Sequence, residues 1–406
     1  MKFKNPFQKK KEPFPKDAKP RVKNSYYTFS QEYPASKIIK AKHVKRKKER
    51  VASALRIMLA VFCFILITAV SYFAVSLGLN FSNKPTEPSE KLTSQSSEER
   101  GTLLENSGFR ALYLPEDFLG NKRELSSFIR KIKRKDCNSV VIDFKNENGK
   151  TLFSSHNKTA IFGKCAIYDN ETVRNALEQF ESSGINVIAR FFCFKDETAS
   201  ATEPDFAVKY KDTDVLWLDE LAEGTGKSWL NPYSDGAVSY LLSLLEETVS
   251  FGIRGVILES VCYPDAEDIS TAGFPGEKSG SQRNSTLLSF IEKAKSVVPS
   301  GCFVLTEGSC ADALNGSETL YSGTLNKSAA NGLCADTATL PEGYVIDKKS
   351  HYSSLITLLS GISQKQNQGD VLVPIICYKD YTRRYVRTLE DSGFGSYIIF
   401  DESGKY

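Results

Sequence analysis

The chain has 406 residues and a net charge of +4, a length that suits either two average domains or one large one. Its charge is uneven, because residues 1–56 carry 18 Lys and Arg against 4 Asp and Glu, whereas the other 350 residues carry 35 against 45. Only three histidines occur, and His43 belongs to the basic segment. The chain therefore has little material for a histidine-dependent catalytic triad or a histidine-rich metal site.

A long apolar stretch follows the basic segment. Residues 57–79, IMLAVFCFILITAVSYFAVSLGL, contain no formal charge, and at about 1.5 Å per residue a helix of this length crosses a hydrocarbon core of roughly 30 Å. We interpret it as an uncleaved single-pass transmembrane helix, because a secretory signal has a shorter apolar core and a shorter basic leader. The positive-inside rule then predicts a cytoplasmic N-terminus and an extracellular C-terminal domain at the cell membrane.

The segments on either side of this span read as unstructured. Residues 1–56 predict a disordered cytoplasmic tail that contacts anionic lipid headgroups, and we do not expect nucleic-acid binding. Residues 80–108 are rich in Ser, Glu, Thr and Pro, so they cannot bury enough apolar surface to offset the entropy of ordering. They predict a flexible linker to a domain that covers residues 109–406.

Short apolar runs alternate with amphipathic stretches throughout residues 109–406. Eight of these runs are candidate strands: FRALYL from Phe109, SVVIDF from Ser139, INVIARFFCF from Ile185, GVILESV from Gly255, CFVLTE from Cys302, GYVIDK from Gly343, VLVPIICY from Val371 and SYIIFDE from Ser396. Continuous Val, Ile and Leu indicate strands buried on both faces, as in a parallel sheet covered by helices.

Eight strand and helix units over this length predict an α/β fold of the (β/α)8 TIM-barrel type, with a doubly wound open sheet as the alternative. Neither a Gly-x-Gly-x-x-Gly nor a GxxxxGK[ST] sequence follows any of the strands, so nothing supports a nucleotide cofactor. We expect no cofactor and no metal.

Charged side chains interrupt several of the apolar runs. Asp143 and Lys145 are two residues apart and should share one face of their strand, while Arg190 and Glu259 are each flanked by apolar residues and need partners if buried. Such groups could form structural ion pairs. Alternatively, they could keep one carboxylate ionised while another has its pKa raised, the division of roles used in glycoside hydrolysis.

The cysteines allow two interpretations. Of the nine, Cys63 lies in the predicted membrane span and eight lie beyond it, and an even number outside the cytoplasm favours disulfides. Several of the eight, however, stand within apolar runs, where a free thiol is a common small core side chain. No C-x-x-C spacing indicates a zinc site.

Four segments resemble, in order and spacing, a bacterial family of glycoside-hydrolase-type TIM-barrel proteins that was first defined as a domain of unknown function. These are NSVVIDFKNENGK from Asn138, GINVIARFFCFKDETASATEPDFAVK from Gly184, WLNPYS from Trp229 and GIRGVILESVCYP from Gly252. The likeness extends over roughly residues 109–402. It implies a barrel that hydrolyses glycosidic bonds.

The resemblance carries over at individual positions. Those that match the family pattern are Asp143, Lys145, Arg190, Lys195, Asp196, Trp229 and Tyr233. At the fourth strand the pattern differs, because Glu259, Ser260 and Cys262 stand where the family has Asp, Tyr and Arg. The longer Glu259 side chain and the loss of the Arg both affect the place where chemistry is expected.

We therefore expect a membrane-anchored extracellular protein that acts on a cell-surface or extracellular polysaccharide. The expected catalytic residues are Glu259, Glu307 and Asp143, and the expected substrate-binding residues are Lys145, Arg190, Lys195, Asp196, Trp229, Tyr233 and Tyr263. Two alternatives stand beside this one. The first is a catalytically inactive barrel that binds a glycan or a partner during envelope assembly, and the second is a scaffold that acts at the lipid surface through its basic tail.

Overall fold

A computed structural model describes residues 108–219 and 226–406, together with Leu104. The predicted tail (1–56) and membrane span (57–79) lie outside the described residues, as does nearly all of the predicted linker (80–108). Within the described part, no helix is long and apolar enough to cross a bilayer.

Eight parallel strands close into a barrel within the described residues. They are β1 (Arg110–Leu114), β2 (Ser139–Lys145), β3 (Asn186–Phe192), β4 (Gly255–Glu259), β5 (Phe303–Ser309), β6 (Gly332–Asp336), β7 (Val371–Cys377) and β8 (Tyr397–Phe400). Each strand pairs with its neighbours in the chain, and β1 also pairs with β8. This closure confirms the predicted (β/α)8 barrel and excludes the open sheet.

Helices connect successive strands and cover the outside of the barrel. They are α1 (Lys122–Arg134), α2 (Lys158–Phe162), α3 (Asn170–Ser182), α4 (Glu197–Thr202), α5 (Asp235–Val249), α6 (Arg283–Val297), α7 (Cys310–Asn315), α8 (Ser353–Ser363) and α9 (Arg383–Asp391). The short strands Lys209–Tyr210 and Ala272–Gly273 form a separate antiparallel pair.

Helix α1 illustrates how the sequence specifies these outer elements. The Asn121 side chain accepts hydrogen bonds from the backbone N–H groups of Arg123 and Glu124, which caps the start of the helix. Leu125, Phe128 and Ile132 recur at helical spacing and are buried against the strands. This helix is therefore one of the amphipathic stretches that alternate with the strands in the sequence.

Side chains at alternate strand positions fill the barrel interior. The buried apolar ones include Ala111, Val141, Ile188, Ile257, Leu305, Cys334, Val373 and Ile398. Two residues further along each strand stand Tyr113, Asp143, Arg190, Glu259, Glu307, Asp336, Ile375 and Phe400. Since side chains of a strand repeat on one face every two residues, these eight form the next layer, at the carboxyl end of the barrel.

The sixth strand is not where the sequence predicted it. The segment from Gly343 is irregular, with Val345 exposed, and the strand is instead Gly332–Asp336. Gly332 has a φ of 150°, and a Cβ at this position would collide with the backbone of Val371 in the adjacent strand. The prediction was wrong because this close approach needs glycine followed by small side chains, which do not produce a Val- and Ile-rich run.

The described cysteines favour the core interpretation. Free thiols are present at Cys137, Cys165, Cys193, Cys262, Cys310, Cys334 and Cys377, and all of these except Cys377 are buried. Burial raises the pKa of the Cys137 and Cys310 thiols to about 12. Because the thiolate is the reactive form, these two buried side chains act as small apolar core residues.

Candidate active site

A cleft of about 910 Å³ opens at the carboxyl end of the barrel. It is lined by side chains of the layer described above and of the loops that follow the strands: Tyr113, Asp143, Asn146, Glu147, Arg190, Phe192, Lys195, Glu259, Glu307, Asp336, Ala338, Ile375, Cys377, Tyr378, Lys379, Phe400, Asp401, Glu402 and Ser403. All three predicted catalytic residues are therefore brought together. Among the described residues, no group of three or more His, Cys, Asp or Glu side chains is arranged to hold a metal ion.

Arg190 lies among three carboxylates in this cleft. Its Nε and Nη2 each donate a hydrogen bond of 2.8 Å to Glu307, one to each carboxylate oxygen. Nη1 lies 3.5 Å from Asp143 Oδ1, and Nη2 lies 4.0 Å from Glu259 Oε1. Such a two-point contact fixes both groups in one plane, so Glu307 is held most firmly.

Two aromatic rings keep the Arg190 guanidinium in place. The guanidinium carbon lies 4.5 Å from the centre of the Phe192 ring and 5.6 Å from that of the Phe400 ring. Burial by itself would lower the pKa of Arg190, but the adjacent Glu307 raises it well above its usual value. Arg190 therefore remains a cation at any pH at which the protein is folded.

Asp143 is tied to Arg190 and to a tyrosine of the first strand. The Tyr113 hydroxyl donates a hydrogen bond of 2.7 Å to Asp143 Oδ2, and Arg190 approaches the other oxygen. Burial raises the pKa of Asp143, although Arg190 and the Tyr113 hydrogen bond act in the opposite direction. Both oxygens of Asp143 contact protein donors. Asp143 is therefore better placed to orient Arg190 than to react with a ligand in the cleft.

Of the three carboxylates, Glu259 lies farthest from the Arg190 guanidinium. Burial raises its pKa from 4.5 to about 7, with Arg190 opposing the rise and Glu307 adding to it. One guanidinium cannot neutralise three carboxylates, so the proton goes to the one farthest from it. Near neutral pH a substantial fraction of the molecules therefore carries a proton on Glu259, beside Glu307 with its two hydrogen bonds from Arg190.

The two glutamates are close together. Glu307 Oε1 lies 2.8 Å and Glu259 Oε1 lies 4.0 Å from the same nitrogen, Arg190 Nη2. These two oxygens are therefore separated by no more than about 7 Å, in the region of the carboxylate separations of glycoside hydrolases, roughly 5–5.5 Å in retaining and 6.5–9.5 Å in inverting enzymes.

The raised pKa of Glu259 predicts a dependence of stability on pH. The folded chain holds this proton more tightly than the unfolded chain, so the stabilisation is complete below pH 4.5 and is lost as the pH rises through about 7. Glu259→Gln should remove this dependence, so the free energy of unfolding of the variant relative to wild type should increase by about 3 kcal/mol between pH 4 and pH 8. Urea unfolding of both chains measures it.

Glu402→Gln serves as the control for this measurement. Glu402 lines the same cleft but is exposed, so its replacement should leave the pH dependence of stability as in wild type. A Glu259→Gln chain whose stability follows the wild-type pH curve would contradict the assignment of the proton to Glu259.

Lys145 and Asp196, both predicted to bind substrate, do not line the cleft. Their side chains are fully buried and form an ion pair of 2.8 Å, and Lys145 Nζ also donates to the Phe192 carbonyl oxygen. Lys145 does not share the face of Asp143, because the pairing of β2 with β3 shifts in register between these two residues. A β-bulge turns the later residue away, so the expected common face was wrong.

The three aromatic residues that were predicted to bind substrate also lie apart from the cleft. Trp229 is buried and donates from Nε1 to Asp219 Oδ2 at 2.9 Å, and Tyr263 is fully buried against Phe274. Tyr233 lines a separate groove between α5 and α6. The apolar residues around these rings in the sequence reflect packing in the protein, and they do not show that a ligand can reach the rings.

Lys195, another residue predicted to bind substrate, lines the cleft. Its ammonium group forms an ion pair of 2.6 Å with Glu147, and this contact lowers the pKa of the Glu147 carboxyl. Sequence reasoning did not assign several other cleft residues to the site, among them Tyr113 and Asp336. Each of these two stands two positions after an apolar residue that points into the barrel. This spacing could have identified Tyr113. Asp336 could not be identified in this way because the sixth strand was predicted at the wrong place.

Fold and site together define a (β/α)8 barrel with a carboxylate-lined cleft at the carboxyl ends of its strands. Residues 111–306 match the family model described as "Putative glycosyl hydrolase domain". The resemblance inferred from the sequence is therefore confirmed over this part of the chain, which contains Asp143, Arg190 and Glu259 and ends one residue before Glu307.

Similar solved structures include a hypothetical protein from Ruminiclostridium thermocellum ATCC 27405, at 23% identity over 48% of this chain and 96% of that chain, with a TM-score of 0.42. An exo-β-N-acetylglucosaminidase from Vibrio harveyi in complex with N-acetylglucosamine matches at 11% identity, over 66% of this chain and 41% of that chain, with a TM-score of 0.42. An α-galactosidase from Thermus thermophilus matches at 10% identity, over 73% and 59%, with a TM-score of 0.44. No curated protein matches the chain.

Proposed function

We propose that this protein is a glycoside hydrolase that cleaves a polysaccharide by carboxylate acid catalysis in the barrel cleft. The observation that carries the proposal is the pair formed by Glu259, whose pKa is raised to about 7, and Glu307, held by two hydrogen bonds from Arg190. A proton donor and an ionised carboxylate on opposite sides of a glycosidic bond are what this reaction requires.

Each residue of the cluster has a distinct task in this reaction. Glu259 donates its proton to the leaving glycosidic oxygen as that bond breaks. Glu307, held by Arg190, either attacks the anomeric carbon or activates a water, and the bound of about 7 Å on the separation of the two oxygens allows both. Asp143, with the Tyr113 hydroxyl, holds Arg190 in the orientation that fixes Glu307.

The place of action is proposed from the sequence. An uncharged stretch at residues 57–79 follows the basic tail, which supports a single-pass anchor with the tail on anionic cytoplasmic lipids. The barrel would then stand outside the cell, joined by the linker, and act on a cell-surface or extracellular polysaccharide. Protease digestion of intact cells tests the topology, since only an outward barrel is cleaved.

The charge of the cleft predicts which glycans are hydrolysed. Among the described residues, seven carboxylates and three cationic side chains line the cleft, and two of the cations, Arg190 and Lys195, are already in ion pairs. We therefore expect neutral oligosaccharides to be cleaved at least about tenfold faster, measured as kcat/KM, than uronate-containing or sulfated ones. Proton NMR of the released anomer follows both turnover and stereochemistry.

A matched variant separates the effect of cleft charge on substrate preference from any binding of polyanions to the basic tail. Asp401 and Glu402 are two of the carboxylates that line the cleft, so a chain with both Asp401→Asn and Glu402→Gln should discriminate less against the anionic oligosaccharides. Equal rates on neutral and anionic substrates in the wild-type chain would contradict the prediction.

A second candidate is a catalytically inactive barrel that binds a glycan or partner in envelope assembly. The observation that favours it is the occupation of both Glu307 oxygens by Arg190, which leaves fewer lone pairs for a reacting atom. This reading predicts retention of a glycan without release of product, and indifference to Glu259→Gln.

A further inference from the structure

Ser260 follows the last residue of β4 and has an unusual backbone. Its φ is 52°, in the left-handed region that residues with a Cβ rarely adopt. It stands directly after Glu259, the proposed acid. Strained backbone of this kind persists only where its surroundings fix it, and it is often found at functional sites.

Two backbone hydrogen bonds fix this conformation. The Glu259 carbonyl oxygen accepts from the Cys193 N–H at 2.8 Å, and the Ser260 carbonyl oxygen accepts from the Phe194 N–H at 3.1 Å. Both donors follow β3 directly. The pairing of β3 with β4 therefore continues past the end of the strands and holds the chain on both sides of the Ser260 Cα.

The turned backbone brings the Ser260 hydroxyl to the carboxyl group of its neighbour. In an extended strand, consecutive side chains point to opposite faces. Here the Ser260 Oγ instead donates a hydrogen bond to Glu259 Oε2. The left-handed conformation is what allows this contact between adjacent residues.

We propose that Ser260 is a positioning residue for Glu259, whose hydroxyl occupies Oε2 and so leaves Oε1 to carry the proton that is donated. This inference rests on the proposed function of Glu259 as the acid. Oε1 is the oxygen that lies 4.0 Å from Arg190 Nη2, on the side of the cleft where Glu307 is held. The hydroxyl thus orients the acid toward the space between Glu259 and Glu307, where the glycosidic oxygen that receives the proton would lie.

The same hydrogen bond limits the rise in the pKa of Glu259. A donor to a carboxylate favours the ionised form, so Ser260 lowers a pKa that burial raises. The other groups that face Glu259 are Arg190 from β3, Lys195 from the loop after it, Glu307 from β5, and the buried side chains of Cys193, Cys262 and Tyr321. All of these remain when Ser260 alone is changed.

Two variants of the full-length chain separate the hydroxyl from the backbone. Ser260→Gly removes the hydroxyl and adopts positive φ without strain, whereas Ser260→Ala removes the hydroxyl and keeps the strain. In both, the pKa of Glu259 should rise by roughly 1–2 units, the effect of one lost hydrogen bond to a charged group. It is read from the side-chain ¹³C carboxyl signal, which is assigned by its absence in Glu259→Gln.

Activity gives a second readout. With a substrate that is hydrolysed, the fall of kcat/KM on the alkaline side should move to higher pH by the same amount, and kcat should decrease severalfold as the proton is less well aimed. Ser403→Gly is the matched control, because the Ser403 hydroxyl donates to another cleft carboxylate, Asp401, at 2.7 Å. It should leave the Glu259 signal unmoved.

The outcomes are distinct. An unchanged pKa of Glu259 in both variants, or a change in Ser260→Gly alone, would overturn the inference, since the second result would come from backbone relaxation. A shift in both variants in a chain that hydrolyses glycans supports it. A shift without turnover of any glycan would refute the proposed function while leaving the control of the Glu259 carboxyl by Ser260 standing.

Discussion

Replacing Glu259 with Gln is expected to lower kcat for glycan hydrolysis by about 10²–10⁴-fold with little change in KM. The amide has nearly the same shape and can still accept the Ser260 hydrogen bond, but it has no proton to donate to the leaving oxygen. The burial that raises the pKa of Glu259 to about 7 is what makes this carboxyl an acid near neutral pH. Steady-state kinetics on the neutral oligosaccharide that is cleaved best measures the effect.

The pH profile distinguishes this role from mere binding. An acid acts in its protonated form, so the wild-type kcat/KM should fall about tenfold per pH unit above the pKa near 7. The residual activity of Glu259→Gln should lack this alkaline fall. Glu402→Gln, in the same cleft, should keep both the rate and the profile. Unchanged turnover in Glu259→Gln would remove Glu259 from the mechanism and favour the inactive binding barrel.

Replacing Lys145 with Met should destabilise the fold by about 3–5 kcal/mol, the usual cost of leaving one partner of a buried ion pair alone. Both Lys145 and Asp196 are fully buried at 2.8 Å from each other. Without the ammonium group, Asp196 retains only the hydrogen bonds from the Ala199 N–H and the Tyr240 hydroxyl. Chemical unfolding in urea gives the difference.

Two further variants make this prediction specific. Adding Asp196→Asn to Lys145→Met removes the uncompensated charge and should restore part of the stability. Lys195→Met breaks a partly exposed pair with Glu147 and should cost less than about 1 kcal/mol. If Lys145→Met instead weakened glycan binding at unchanged stability, the sequence-based expectation of a substrate contact would be the better one.

The barrel could be predicted from the sequence because its strands are buried on both faces. Continuous apolar runs such as SVVIDF signal burial directly, and seven of the eight strands lie where the sequence predicted them. The exception, Gly332–Asp336, depends on a close approach between strands that only the packed structure creates. Its aspartate, Asp336, was lost from the predicted site with it.

Within the site, a charged residue inside an apolar run was the informative signal in the sequence. The direction in which each side chain points could not be predicted in the same way. The sequence indicated that Asp143, Arg190 and Glu259 needed partners, and each has one. It placed Lys145 beside Asp143, whereas the bulge in β2 sends Lys145 to Asp196. A bulge is decided by the pairing of two strands, which no pattern within one strand contains.

The sequence by itself determined the alternation of strands and helices, the resemblance to a glycosyl hydrolase family and the carboxylates at the strand ends, because burial selects side chains locally and leaves a periodic trace. Only the tertiary structure decided which charges meet. Arg190 and Glu307 are 117 residues apart in the chain, and barrel closure brings them to 2.8 Å. The same packing buries Glu259 and so raises its pKa, while Arg190, whose two-point contact is with Glu307, opposes that rise from 4.0 Å.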